Sequence, residues 1–271
     1  MNTARLKNIV IIILLLANAF LLVLLASRRA EEHSAYERSL EQLTALYSTN
    51  GIALDEELVK QAAAQLLSAE PSRDLAAEQE LAEGIIGSAS SIDSGGGIYR
   101  YYNASDPGSG VCLIRSGGTV EANVNRAVDD PDKFCTNLCT PYGYLIYETL
   151  DDGRNTTVTA YRTLNGLEVF NCALTFSFTG GTLETVSGLF LPPIEADPDN
   201  AVPLDVVTAL VRFLDYRTAA GAVCTQIVSL SGGYLLQSTT SSPLQLIPVL
   251  RVETDVSSYY VNAATGEVTR E

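Results

Sequence analysis

The sequence predicts an α+β protein in which a single N-terminal transmembrane helix precedes an exterior domain of helices and antiparallel sheet. Three observations lead there. Residues 9–26 form one apolar run broken only by Asn18. Residues 27–86 carry apolar positions at helical spacing, and from Ile98 the spacing changes to two, with one further helical stretch after Pro203.

The first element is the apolar run, IVIIILLLANAFLLVLLA. At 1.5 Å per residue it reaches about 27 Å, enough for a hydrocarbon core of roughly 30 Å. A cleaved signal needs a shorter run and small residues at its cleavage site. Here Leu24-Leu25-Ala26 offers a bulky residue where a small one is wanted, so the run reads as a permanent anchor. Arg5 and Lys7 flank one side and Arg28 and Arg29 the other, so charge alone leaves orientation nearly balanced. A short tail inside and the large acidic remainder outside is the simpler arrangement. This reading divides the chain into a tail (1–8), a span (9–26), a helical stalk (27–50), a first α+β unit (51–195) and a C-terminal unit (196–271).

Nothing between Ser27 and Tyr47 breaks a helix, and Tyr36, Leu40, Leu43 and Tyr47 form a narrow apolar stripe. Asn50-Gly51 ends it, since this pair readily takes positive φ. A helix is expected over residues 53–69, with Leu54, Leu58, Ala62 and Leu66 on one face, and a shorter one over 75–83. Residues 88–97, rich in Ser and Gly, read as a flexible connection. Strands follow at 98–102, 110–115 and 119–123, then hairpins at 143–164 and 167–189. A helix over 203–216 and strands at 224–237, 244–254 and 257–261 complete the chain. Gly143-Tyr144-Leu145 and Gly233-Tyr234-Leu235 stand at comparable places, which two copies of one helix-plus-sheet unit would explain.

Composition excludes some functions. The net charge is −15, and all 32 acidic residues follow Ala30. Nucleic acid demands clustered Lys and Arg, so it is not a partner. The one histidine, His33, stands on the stalk, and without another the soluble mass cannot build a Ser-His or Cys-His pair. Cys135-x-x-x-Cys139 lacks companions for zinc, and a local disulfide or buried thiols explain it better. Asp129-Asp130-Pro131-Asp132 and Asp197-Pro198-Asp199-Asn200 lack the calcium-loop pattern and read as solvated turns. The sequence calls for no metal, no cofactor and no enzymatic activity. The polar exception in the span is Asn18, which on a helix shares a face with Ile11, Leu14, Leu15, Leu22 and Leu25. An amide in hydrocarbon is satisfied by another helix, which makes this face a candidate partner contact.

Several stretches resemble one family. The basic start with Leu16-Ala17-Asn18-Ala19-Phe20-Leu21-Leu22, then Leu164-Asn165-Gly166-Leu167-Glu168-Val169-Phe170, and the ending through Gly232-Gly233-Tyr234, Leu246 to Val252 and Tyr259 to Val268 are similar to the YycH/YycI family of membrane-anchored two-component-system regulators, closer to YycI. The last segment also looks like the ending of PepSY modules. Val249-Leu250 stands where the family often has an aromatic before the arginine, and the cysteines are unusual for it. The resemblance implies a cytoplasmic N-terminus and an extracytoplasmic α+β domain in a Gram-positive type cell membrane. It also implies contact between the span and a membrane sensor histidine kinase, in company with a paralogous single-pass regulator. The alternative is a PepSY-type binding module that inhibits or holds an exported peptidase or envelope enzyme.

Overall fold

The structure is a computed structural model that describes residues 3–62, 65–67, 71–194, 201–238 and 244–271. The residues read as span and stalk form one continuous helix, α1 (Thr3–Thr49). The expected helix over 53–69 is much shorter: α2 (Glu56–Gln61) ends in a turn at Ala62. Beyond it a strand, β1 (Gln65–Leu67), pairs with β10 (Ala201–Pro203). Tertiary pairing here overrides the helical spacing of Leu58, Ala62 and Leu66.

The rest is one motif three times over: a helix followed by a four-stranded antiparallel meander. The first has α3 (Leu75–Ile86) and β2 (Ser90–Asp93), β3 (Ile98–Tyr102), β4 (Gly110–Arg115) and β5 (Thr119–Ala127). The second has α4 (Pro131–Cys139), a 3-10 turn, and β6 (Tyr144–Asp151), β7 (Asn155–Leu164), β8 (Leu167–Thr179) and β9 (Thr182–Leu189). The third has α5 (Val206–Ala220) and β11 (Ile227–Gln237), β12 (Gln245–Thr254), β13 (Ser258–Asn262) and β14 (Val268–Arg270). Two of these units lie inside the block read as one, residues 51–195. The expected boundary at 195/196 lies outside the described residues.

Each helix starts on an aspartate. Asp74, Asp130 and Asp205 each accept backbone N–H groups of the first turn, satisfying donors that have no partner inside the helix. Asp130 is followed by Pro131 at the first helical position, where its fixed φ suits the helix. The run read as a solvated turn is therefore the start of α4. The stretch read as a flexible connection contains β2.

The meanders join into a 12-stranded sheet. β9 pairs antiparallel with β5, linking the second unit to the first. β8 links it to the third, running parallel to β11 with Val169 opposite Tyr234. The helices and the end of α1 share one core with the sheet. A smaller cluster of Phe170, Leu235, Val249 and Tyr260 lies on the opposite face, as strand alternation requires when Tyr234, Leu236, Leu250 and Tyr259 point into the main core.

Candidate tether junction and sheet edge

The face expected to contact a partner helix is described in part. Leu14, Asn18, Leu22 and Leu25 are exposed on α1, while the side chains of Ile11 and Leu15 lie outside the described residues. Most side chains of 9–17 are likewise outside them, and among those described no helix is long and apolar enough to cross a membrane. His33 is exposed on the helix beyond.

From Leu40 the character of α1 changes. Of the expected stripe, Leu40, Leu43 and Tyr47 are buried and Tyr36 is exposed, and the helix packs on α5. The Tyr47 hydroxyl donates to the Leu210 carbonyl at 2.8 Å, a bond to α5's main chain that ties the two helices at one point. Burial pushes the Tyr47 phenol far above its ordinary range, so it stays a donor at any working pH. Tyr36, one helical repeat earlier, lies beside the start of α5 in a groove of about 390 Å³ with Ser39, Val207 and Thr208. After Asn50, whose side chain donates to the Leu46 carbonyl, the chain turns at Gly51 with φ +73°. Ala53 then bridges to Gln226, so the exit from α1 is stitched to the head of β11.

A second feature escaped the sequence. Among the described residues β6 has β7 as its strand partner and no strand on its other edge. The register slips between Ile146 and Glu148, a bulge at Tyr147. On the α4 side, Ile146 packs on the core and the Thr149 hydroxyl donates to Asp132 at 2.6 Å. The extra residue lets Leu145, Tyr147 and Leu150 all turn outward, 58%, 75% and 58% exposed. Tyr147 leans edge-on against Tyr161 of β7, ring centres 5.0 Å apart. The alternation that would have shown an outward apolar face is broken by the bulge, and edge position depends on topology, so neither could be read locally.

Of the cysteines, Cys224 lies near the Tyr47 phenol and adds to the rise that burial causes. Cys112, Cys135, Cys139, Cys172 and Cys224 are all free and buried, so the expected choice between disulfide and buried thiols resolves to thiols. Cys172 meets the Tyr144 hydroxyl at 3.3 Å, and that hydroxyl donates to the Leu189 carbonyl and accepts from the Leu191 N–H. Burial pushes the Cys172 thiol up to about 12, far from the thiolate that nucleophilic chemistry needs. Among the described residues no group of His, Cys, Asp and Glu is placed to hold a metal. The run Asp197–Asn200 lies outside the described residues.

No family model matches the chain, and no curated protein matches it. Among solved structures, an uncharacterized protein from Eubacterium rectale is similar at TM-score 0.41 and 12% identity, over 77% of this chain and 81% of that one. The C-terminal domain of YpeB from Bacillus megaterium is similar at TM-score 0.31 and 10% identity, over 74% of this chain and 98% of that one. At such scores neither likeness lends the chain a function.

Proposed function

We propose that this chain is a non-enzymatic binding module of the cell envelope, held at the membrane by α1 with its N-terminus inside and its three-unit sheet outside. The observation that carries this reading is the junction at Tyr47. The helix that begins with the apolar run continues without a break into the core of the domain, and a tether that only limited diffusion would need no such docking. Exposure of Asn18 beside Leu14, Leu22 and Leu25 favours a second, finer reading. In it α1 regulates a membrane sensor histidine kinase by lying against its spans, with the exterior domain as scaffold or sensor.

The two readings separate by where contact occurs. A photocrosslinking residue placed singly at 14, 18, 22 and 25 leaves the buried thiols untouched and reports what α1 touches in native membranes. Capture of one multi-span kinase from these positions, falling roughly tenfold at 14, 22 and 25 when Asn18→Leu is added, is expected for the regulator. Absence of capture from all four, while the exterior domain still retains an envelope protein after its span is exchanged for a neutral one, leaves the binding module with α1 as its tether. If neither the span nor the domain holds a protein, both readings fall.

A further inference from the structure

We propose that β6 is a docking strand that accepts an extended, basic and apolar segment of a partner protein as an added strand of the sheet. The inference rests on the binding-module reading and names the surface and chemistry that the module would use.

The edges of this sheet differ. Sheet edges present unpaired main-chain groups, and proteins blunt them with short strands, proline or charge, above all lysine. β2 is four residues long and ends on Asp93, while β14 is three residues long and carries Arg270. β6 is eight residues long and contains no Pro, Lys or Arg. Its outward face is apolar at Leu145, Tyr147 and Leu150, and the bulge at Tyr147 is what brings Leu150 to that side. A bulge that served only to blunt the edge would not need to gather three large apolar side chains. An incoming strand would continue the ladder through its main chain and lay alternate side chains beside these three.

Charge selects the occupant. Glu148, Asp151 and Asp152 are exposed along the strand and its turn, with Asp132 beside Thr149, against Lys133 and Arg154. Among these groups carboxylates dominate, so Lys or Arg in the added segment gains beside Glu148 and toward the Asp151–Asp152 end of β6. The same charges oppose a second copy of this chain. Antiparallel pairing of β6 with itself would set Glu148 and Asp151 of both copies on one short ladder, and like charges across a strand pair are destabilising.

The test uses the full chain in lipid nanodiscs and a fluorescent ten-residue peptide of alternating lysine and valine. Saturable binding is expected, weakened roughly tenfold or more in the double variant Tyr147→Lys, Leu150→Lys, whose sites are too exposed to disturb the core. The same peptide N-methylated at alternate amides keeps its charge and loses its strand hydrogen bonds, and it is expected not to bind. Equal binding of the methylated peptide, insensitivity to the double variant, or no binding at all would overturn the proposal. So would a dimer of the wild-type chain that dissociates in Leu150→Lys. If the peptide fails while the exterior domain still retains an envelope protein, the strand-docking site alone is removed and the tethered module stands.

Discussion

Gly233 has no side chain because two neighbours occupy the space where one would go. A Cβ there would stand 2.5 Å from the Glu168 carbonyl and 2.7 Å from the Phe170 ring, which lies across β11 to close the small cluster with Leu235, Val249 and Tyr260. Gly143, its counterpart in the second unit, makes room for the Arg162 guanidinium. Among the described residues no carboxylate pairs with that buried cation. It donates to the carbonyls of Gly143, Thr163 and Pro192, and burial pulls it below the ordinary arginine range. The shared Gly-Tyr-Leu was legible in the sequence, whereas the crowding that explains each glycine depends on different neighbours and was not. The second strand of each of these two units also carries an arginine, but at different places: Arg162 faces Tyr144, while Arg251 faces Ser231, three residues before Tyr234. Gly233→Ala is expected to lower stability by about 1–3 kcal/mol through overpacking. Urea unfolding checks it, and an unchanged midpoint would mean that the Phe170 ring moves aside freely.

Elements with a clean period of two were legible almost to the residue: β3, β4, β8 and β9 fall where alternation put them. α4 was hidden because its opening aspartates look like a solvated turn unless Pro131 is taken as a first helical residue. The joint between the second and third units was beyond any local signal. β7 takes one edge of β8 along its whole length, so β9 and β11 share the other, β11 near the start and β9 over the later half. Main-chain register between β8 and β11 amounts to one residue pair, and Asn171 extends it. Its side-chain amide donates to the Leu236 carbonyl at 2.7 Å and its oxygen accepts the Leu236 N–H at 2.8 Å. Asn171→Ala leaves both groups of a buried residue unpaired, for a loss of about 1–3 kcal/mol. Hydrogen exchange is expected to speed up first along Leu235 to Gln237, and uniform acceleration over the whole sheet would argue against a local joint.

At the scale of the molecule, three linked meanders enclose five thiols that form no disulfide. Burial raises Cys112 and Cys139, like Cys172, from an ordinary 9.0 to about 12. A raised thiol keeps its proton in the fold while the unfolded chain ionises. The stability this brings is whole below pH 9.0 and drains away between 9.0 and about 12. The melting temperature should therefore fall steeply with pH in that window, and less so in Cys139→Ala than in the parent. A slope unchanged by the substitution would place the loss elsewhere. The three-unit plan became readable only with strand order in hand, because all three units share little beyond their aspartate caps and Gly-Tyr-Leu recurs in only two of them. Finally, the Tyr47 junction gives α1 leverage. Among the described residues α1 contributes nothing to the main core before Leu40, and at the helical rise residues 3–39 make an arm about 55 Å long. A tilt of about 10° where α1 meets α5 sweeps the far end through about 10 Å, a displacement as wide as a helix. Small repacking around Leu210 is thus geared up into a large movement at the N-terminus, and a push there is geared down into a fine adjustment of the sheet.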